Sequence, residues 1–462
     1  MRSLDVWMNG MLVGNWAYGS AGSHRFTYDS GWLQSPACRS LSLSLPVSAS
    51  AEIRGPVVAN YFDNLLPDNV RIRKRLKTRY DTKTDRAFDL LEAIGRDCVG
   101  AVQLLPSGSE PLGFDRVRYQ ALDESGVAAL LRMVPSSVGF ASGTQADFRI
   151  SIAGAQEKTA LLKVGKQWCV PTGATPTSHI FKLPLGLVGG YQYDLRHSVE
   201  NEWLCLRFLA ALGLPVASAE IGVFEDQRAL IVERFDRRWV PARAGKPRWL
   251  ARLPQEDFCQ VLGISPDDKY ESSGGPGMRS SLQILQGSQS ADLDTSIFVV
   301  TQFAFWLLAA TDGHAKNFSI RLHAQDRYEL TPIYDVLSAW PIIGSGPNRL
   351  PLQDAKMAMA LRGKNTHYRI VEIYARHWKA LADQCGVEGV WGLMIRIAED
   401  IESAIANVML QLPERYPVEL AESIFVGVRK QATRFLKSVD ATDPRGRNRK
   451  ADGPSHDPPS AL

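Results

Sequence analysis

The sequence predicts an α+β protein of two lobes, in which a β-rich first half precedes a helical second half. Short apolar runs separated by turn residues continue to about residue 240, and this pattern is typical of strands. Beyond that point the apolar residues recur mostly with helical spacing. The 462 residues, 45% of them hydrophobic and 22% charged, suffice for two or three globular domains. Two such halves commonly hold a ligand in the crease between them.

The first predicted domain covers residues 1–110 and is β-rich. It opens with a hairpin, because Asn9-Gly10 lies between two apolar stretches and both central positions of a type I′ turn need positive φ. A helix is expected to begin after Asp68, which we predict as its N-cap. A second helix is expected to end at Gly95, before a strand that completes the domain.

Two further domains and a tail follow. Residues 111–240 alternate strand signals with one long helical segment, SVENEWLCLRFLAALGL, which Gly213 ends. Residues 241–437 carry successive helical periods, and we expect an all-helical domain. Residues 438–462 are rich in proline, glycine and charge, which predicts a disordered tail.

Composition and apolar patterning favour a cytoplasmic protein that does not enter a membrane. The six cysteines are far apart and form no CxxC pair, which is typical of reduced core residues. The start of the sequence has no apolar segment of the kind found in signal peptides. The longest apolar run, Ile297 to Ala310, is too short to span a bilayer and predicts a buried helix.

An apolar run ends in a cluster of polar residues within FWLLAATDGHAKNFSI, at 305–320. Asp312 and Asn317 form D-x-x-x-x-N, the spacing of a protein-kinase catalytic loop, in which the aspartate accepts the proton of the substrate hydroxyl. The spacing alone is weak, because a helix-capping aspartate followed by an asparagine in a turn gives the same pattern. His314 has no second histidine at a ligand spacing, which favours a structural or hydrogen-bonding role over metal binding.

Three further features surround this loop in the order found in kinases. TPIYDVLSAW brings Asp335 to the end of a strand, and SHIFKLP does the same for Lys182, a residue type rarely buried without a partner. RISIAGAQEKTALL is a strand, a small-residue turn and a strand, which suits a loop that covers phosphates. Asp312 is then predicted as the base, Asn317 and Asp335 as Mg²⁺ ligands, and Lys316 as a positive charge beside the transferred phosphoryl group. G-x-G-x-x-G, H-R-D, D-F-G and A-P-E are absent, so we predict a divergent protein-kinase-like fold.

Several longer motifs together resemble the HipA family of serine/threonine kinase toxins from bacterial type II toxin–antitoxin modules. The resemblance spans residues 1–437 and is carried by YFDNLLPDN, FDLLEAIGRDCVGAVQLLP, RISIAGAQEKTALL, HIFKLP, VERFDRRW, RLPQEDFCQ, KYESSGGPG, ATDGHAKNFSI and TPIYDVLSAWP. It implies a kinase that uses ATP and Mg²⁺ to phosphorylate a protein such as an aminoacyl-tRNA synthetase, which leads to growth arrest and persistence. It also implies a HipB-like DNA-binding antitoxin as partner, with operator DNA contacted through the antitoxin complex.

The resemblance further implies roles for individual residues. Asp312 would be the catalytic base, and Ser151 would be the site of autophosphorylation. Glu233 and Phe235 would lie in the hinge that meets the adenine, and Lys182 would contact the phosphates. The implied nucleotide-binding residues are Ala153, Gly154, Ala155, Gln156, Glu157, Lys158, Lys182, Glu233, Phe235, His314, Ala315, Lys316, Asn317, Tyr334 and Asp335. Without the resemblance, Ser151 would be interpreted as an ordinary half-buried strand serine and Lys158 as a solvated strand lysine.

Two other functions stay open. A non-catalytic regulator would keep the fold and act by binding antitoxin and DNA, although a decayed kinase usually loses at least one of Lys182, Asp312, Asn317 and Asp335. A metal-dependent hydrolase would use Asp312, His314 and Asp335, and the lack of a second histidine at ligand spacing counts against it.

Overall fold

The computed structural model describes residues 2–19, 22–135, 153–154, 156–243, 245 and 247–442. The predicted positions Ser151 and Ala155 lie outside the described residues, as do residues 443–462 of the predicted tail.

The first domain is an antiparallel five-stranded sheet covered by short helices. Its elements are β1 Arg2–Met8, β2 Met11–Tyr18, β3 His24–Tyr28, α1 Ser30–Leu33, β4 Glu52–Arg54, α2 Pro56–Asp63, α3 Val70–Tyr80, α4 Ala87–Ile94 and β5 Val102–Pro106. The strand order is β4-β3-β2-β1-β5. Asn9 and Gly10 have φ of 47° and 81° between β1 and β2, which confirms the predicted hairpin turn. Trp16 of β2 stacks on Phe62 of α2 with ring centroids 3.9 Å apart, so the sheet and the helix share one core.

The N-cap of α3 corrects a prediction. Asn69, not Asp68, caps the helix, because the Asn69 side chain accepts a hydrogen bond from the Arg71 N–H at 2.8 Å. Asp68 instead forms an ion pair with Lys269 of the helical half at 2.8 Å. Both residue types are good N-caps, but the Asp68 carboxylate is engaged by Lys269, which is distant in sequence.

The second domain is built on a six-stranded antiparallel sheet. Its elements are β6 Tyr119–Leu122, α5 Glu124–Met133, β7 Lys158–Val164, β8 Gln167–Pro171, β9 His179–Lys182, β10 Gly186–Val188, β11 Tyr193–Leu195, α6 Ser198–Ala211, β12 Ala219–Phe224, β13 Gln227–Glu233, β14 Arg237–Val240 and β15 Trp249–Arg252. The order β12-β13-β9-β7-β8-β6 places β9 between β13 and β7. Lys182, the last residue of β9, is therefore held from both sides at one end of the sheet.

The second half of the chain is mainly helical, as predicted. Its elements are β16 Gln255–Asp257, α7 Phe258–Val261, α8 Met278–Leu285, α9 Ala291–Leu308, β17 Ser319–Leu322, β18 Tyr328–Leu330, β19 Lys356–Arg362, β20 Thr366–Arg369, α10 Ala375–Cys385, α11 Val390–Glu399, α12 Ile401–Met409 and α13 Val418–Thr442. It is not all-helical, because β16, β17 and β18 form a small sheet and β19 pairs with β20. Four of these strands have only three or four residues, which is too short to produce a readable alternation of apolar and polar positions. The fifth, β19, has seven residues, but its five central residues are all buried, so it does not alternate either.

Helix α9 is the central helix of this half. Among the described residues it alone has the length and apolar composition to cross a membrane, and 72% of the relevant window is buried inside the protein. Phe303 and Trp306 are fully buried, and their rings lie 5.3 Å and 5.9 Å from that of Trp378 on α10. The predicted buried helix is confirmed, and it ends immediately before the polar loop that contains Asp312.

Helix α13 extends beyond the predicted start of the tail. It continues to Thr442 rather than ending at residue 437. Leu436 and Val439 pack against the large core of the helical half, and this apolar contact keeps the chain helical past the predicted boundary.

Candidate active site

A cleft between the strand-rich and helical halves brings most of the predicted site residues together. Its volume is about 1050 Å³, including space that is open to solvent. The predicted residues that line it are Ala153, Gly154, Lys158, Lys182, Glu233, Phe235, Asp312, His314, Lys316, Asn317, Tyr334 and Asp335. The fold therefore assembles five separate stretches of sequence around one space.

Three of the predicted residues do not line this cleft. The Gln156 side chain donates to the carbonyl oxygen of Leu183 at 2.5 Å, and Glu157 forms an ion pair with Arg75 of α3. Both line a neighbouring cavity against α3. Ala315 is fully buried in the loop after Asp312. Gln156 and Glu157 thus bind neighbouring parts of the chain, and Ala315 is buried, so none of the three side chains faces the cleft.

Lys182 occupies the floor of the cleft between two carboxylates. Its Nζ lies 2.6 Å from Oε1 of Glu202 and 2.6 Å from Oδ1 of Asp335. Burial disfavours the ammonium, but Asp335 and Glu202 together raise the pKa of Lys182 above its ordinary value. Lys182 therefore stays charged, and it links a strand, a helix and the segment that carries Asp335.

Glu202 is the main site residue that the sequence analysis missed. It lies on α6, its side chain is 2% exposed, and burial raises the pKa of its carboxyl against the opposing charge of Lys182. The available signal was an acidic residue within the predicted helix SVENEWLCLRFLAALGL, and all of the first nine positions of that helix are buried in the structure. A fully buried glutamate needs a partner, and a strand lysine paired with a helix glutamate is an essential feature of kinase sites.

Asn317 and Asp335 offer oxygen atoms that fit Mg²⁺. The Asn317 Nδ2 donates to the backbone carbonyl of Asp335 at 3.0 Å, while its buried Oδ1 has no hydrogen-bond partner among the described residues. Burial works against the charge of Asp335, but Lys182 and Lys158 hold the pKa of its carboxyl well below the ordinary range. Mg²⁺ prefers oxygen ligands and needs few from the protein when phosphates supply others. These two residues would hold the ion.

The arrangement fits a three-ligand hydrolase metal poorly. Within the ranges that the structure describes, no three His, Cys, Asp or Glu residues form a group that could hold a metal. All six cysteines are free thiols, as predicted. Burial lowers the pKa of His314, and its Nδ1 has no hydrogen-bond partner among the described residues. Of the two expected roles, structural or hydrogen-bonding, the second is therefore not seen at this nitrogen.

Asp312 stands at the entrance of the cleft. Its side chain is 64% exposed, and the His314 Nε2 lies 3.9 Å from its Oδ1. The hydroxyl of Tyr270 donates to the same oxygen at 2.5 Å. An accessible carboxylate in this position can accept a proton from a hydroxyl that enters from solvent.

Lys316 reaches the cleft, but its ammonium is held by the first domain. Its Nζ lies 2.7 Å from Oδ1 and 3.1 Å from the carbonyl oxygen of Asn64. Carboxylate oxygens of Asp68 and Asp257 each lie 3.4 Å away. Burial is outweighed by Asp257 and Asp68, which raise the pKa of Lys316. The lysine therefore fixes the loop after Asp312 to the first domain.

An apolar slot lies beside these charges. Ile180, Val232, Phe235 and Tyr334 line it, and the rings of Phe235 and Tyr334 have centroids 5.6 Å apart. The Tyr334 hydroxyl donates to the carbonyl oxygen of Lys316 at 2.9 Å, which ties the slot to the polar loop. Aromatic and branched side chains at this spacing can hold a planar ring such as a nucleobase.

Ala153 and Gly154 line the cleft on the side of β7. Gly154 has φ of 110°, and a Cβ there would lie 2.4 Å from the Lys158 Nζ, so this position requires glycine. The Lys158 Nζ donates to the carbonyl oxygen of Ala153 at 2.9 Å. Burial, with Lys182 nearby, lowers the pKa of Lys158, although Asp335 opposes this. Lys158 is thus part of the site rather than a solvated strand lysine.

Comparison with known proteins shows the family. The HipA-like C-terminal domain family matches residues 150–414, which is more than half of the chain. The chain belongs to the HipA-like family. The HipA N-terminal domain family also matches, at residues 4–105. The predicted family is therefore confirmed by both matches.

Relatives of this HipA-like chain match it over nearly its whole length. The protein Y4mE of Sinorhizobium fredii is 32% identical over 426 residues, which cover 90% of this chain and 94% of Y4mE. The serine/threonine-protein kinase toxin HipA of Shewanella oneidensis is 27% identical over 469 residues, which cover 95% of this chain and 97% of that protein.

A solved structure confirms the HipA-like fold. A chain from the Shewanella oneidensis complex of HipA, HipB and operator DNA superposes with a TM-score of 0.77 at 23% identity, covering 96% of this chain and 99% of that chain. The two-lobed arrangement predicted from the sequence is therefore the fold of this family.

Proposed function

We propose that this HipA-like protein is a serine/threonine protein kinase that uses ATP and Mg²⁺. The observation that carries the proposal is the position of Lys182 between Glu202 and Asp335, in one cleft with Asp312 and Asn317. These residue types recur in kinases as the phosphate-binding lysine with its helix glutamate, the metal ligands and the base.

Each of these side chains has a separate role in phosphoryl transfer. Phe235 and Tyr334 line the slot for the adenine, and Lys182 offers positive charge to the phosphates. Asn317 and Asp335 would hold Mg²⁺, which would supply charge neutralisation for the phosphate oxygens. As the substrate hydroxyl oxygen bonds to the γ-phosphorus, its proton passes to the Asp312 carboxylate. The bond from the γ-phosphorus to the bridging oxygen breaks, and ADP leaves with that electron pair.

The biological setting is part of the same proposal. The relative named as a kinase toxin and the HipA chain solved with HipB and operator DNA support a toxin restrained by a HipB-like antitoxin, with operator DNA reached through that complex. The target would be a protein such as an aminoacyl-tRNA synthetase, with growth arrest and persistence as the result. A cytoplasmic location, autophosphorylation at Ser151 and the domain division at 110 and 240 also belong to this proposal.

Asp312→Asn is the decisive variant. We expect it to lower transfer of the γ-phosphoryl group by about 10²–10⁴-fold, which is typical for the loss of a general base. The measurement is label on protein and label released as phosphate after incubation with γ-labelled ATP and Mg²⁺. Folding should be preserved, because the side chain is 64% exposed.

A matched control and three outcomes make this test sharp. Asp354→Asn removes a carboxylate from the exposed surface of the helical half and should keep wild-type activity. Wild-type protein that releases phosphate and labels no protein would support the hydrolase instead. Wild-type protein that does neither would support the non-catalytic regulator, and full activity of the Asp312 variant would remove Asp312 as the base.

A further inference from the structure

Tyr270 is the sole side chain, among the residues described, that donates a hydrogen bond to the Asp312 carboxylate. Its Oη lies 2.5 Å from Oδ1 of Asp312. The other oxygen, Oδ2, accepts no hydrogen bond from the described part of the chain. Because the Asp312 side chain is 64% exposed, solvent alone would leave this carboxylate free to rotate. Its orientation therefore depends on one phenol.

Tyr270 is held in place by its two neighbours in sequence. Lys269 pairs with Asp68 of the first domain at 2.8 Å. Glu271, whose side chain is 7% exposed, pairs with Arg362 of β19 at 2.7 Å and accepts from the Ala360 N–H at 2.6 Å. Three consecutive residues thus bind the first domain, Asp312 and a β-hairpin. The phenol is fixed by this segment rather than resting on Asp312 by chance.

The environment of the ring keeps the hydroxyl protonated. Burial, followed by the negative charge of Asp312, raises the pKa of Tyr270 above its ordinary value. The ring also packs edge-on against His314, with centroids 5.0 Å apart and an interplanar angle of 81°. Tyr270 therefore donates this hydrogen bond to Asp312 as a neutral phenol.

We propose that Tyr270 is a positioning residue for phosphoryl transfer. Its hydroxyl fixes Oδ1 of Asp312, which orients the carboxylate and leaves Oδ2 to accept the proton of the substrate hydroxyl. This inference rests on the proposed kinase function. It differs from the alternative in which the phenol occupies the place of the substrate hydroxyl and blocks the site, because the two predict opposite effects of removing the hydroxyl.

Tyr270→Phe tests the inference in the full-length protein. The measured quantity is total consumption of γ-labelled ATP, as label on protein plus free phosphate, across a range of ATP concentrations with Mg²⁺. We expect the maximal rate to fall roughly 10-fold to 100-fold, the effect of a misoriented catalytic group. The ATP concentration at half-maximal rate and the thermal midpoint Tm should stay near the wild-type values, because the Tyr270 hydroxyl is assigned no contact with the nucleotide and is not part of the hydrophobic core.

Tyr328→Phe is the matched control. It removes a phenol hydroxyl that donates to the Ile284 carbonyl oxygen at 2.7 Å, away from Asp312, and should leave the maximal rate unchanged. A Tyr270 variant with an unchanged or higher maximal rate overturns the inference, the higher rate pointing to a blocking phenol. A parallel loss of ATP affinity and Tm would show a merely structural role. Wild-type protein that consumes no ATP would overturn the proposed function first, and this inference with it.

Discussion

Glu256 is fully buried at the contact between the first domain and β16. The Leu43 N–H donates to its Oε1 at 2.9 Å, whereas Oε2 has no partner among the described residues. Burial raises the pKa of this carboxyl to about 8, and the negative charge of Asp257 adds to the effect. A single residue thereby carries a proton at neutral pH that an exposed glutamate would have lost.

The raised pKa predicts a loss of stability with rising pH. The folded protein binds this proton more tightly than the unfolded chain, so the contribution is fully present below the ordinary pKa of 4.5 and is lost as pH rises through about 8. Each unit of difference between the folded and unfolded pKa corresponds to about 1.4 kcal/mol. Glu256→Gln should raise the Tm at pH 8 relative to wild type and reduce the fall between pH 5 and pH 8.

Glu388→Gln, at an exposed position, is the control for Glu256 and should keep the wild-type dependence on pH. If Glu256→Gln leaves the pH profile of Tm unchanged, Glu256 does not carry the proton.

At the scale of elements, the end of α2 is bound to the loop after α9. Asn64, the C-cap of α2, holds the Lys316 Nζ through its side chain at 2.7 Å and its carbonyl oxygen at 3.1 Å. The Asn64 Nδ2 also donates to the Ile264 carbonyl oxygen at 2.8 Å. The first domain thus takes part in positioning a loop that carries Asp312 and Asn317.

Asn64→Ala should weaken this coupling. We expect a roughly tenfold lower maximal rate of ATP consumption, because small displacements of catalytic groups are costly. We also expect a loss of about 1–3 kcal/mol of stability from the lost hydrogen bond to the buried ammonium. Asn60→Ala is the matched control, since Asn60 also lies on α2 and donates to the Gly263 carbonyl oxygen at 2.8 Å without touching Lys316. Equal rates for the two variants would contradict a specific role of Asn64.

At the scale of the whole molecule, a buried charged cluster joins the domains behind the cleft. Asp97 of the first domain contacts Arg237 at 2.8 Å and Arg252 at 3.2 Å. Asp236 contacts Arg234 at 2.8 Å. All three arginine side chains are at most 2% exposed. Buried ions of this kind are tolerable only when every partner is present, so the cluster requires the first domain to be docked.

Asp97→Ala should therefore destabilise the whole protein. Removing one partner of a buried ion pair should lower the free energy of unfolding by about 3–5 kcal/mol. We therefore expect a single thermal transition at a lower temperature, or loss of soluble protein. Arg132→Ala breaks the exposed pairs with Glu225 and Asp226 and should change the Tm little, because surface pairs contribute little. A wild-type Tm for Asp97→Ala would show that the cluster does not hold the domains together.

The sequence by itself determined the features that local pattern encodes. The Asn9-Gly10 turn, the buried helix α9 and the order of Lys182, Asp312 and Asp335 are all readable from spacing, because backbone sterics and apolar periodicity act over a few residues. The family was readable from longer motifs of the same local kind. The domain boundary at 437 and the all-helical second half were wrong, because strands that are short or continuously buried, and a packed helix end, leave little local signal.

Only the tertiary structure decided which charges meet. Glu202, Asn64, Tyr270 and Asp97 gave no sign in the sequence of the residues they would contact, which lie far away along the chain. A local pattern shows that an acidic residue lies on a buried face, but its partner is set by how sheets and helices pack. Since an unpaired buried charge costs several kcal/mol, packing that brings every partner together also settles the geometry of the site.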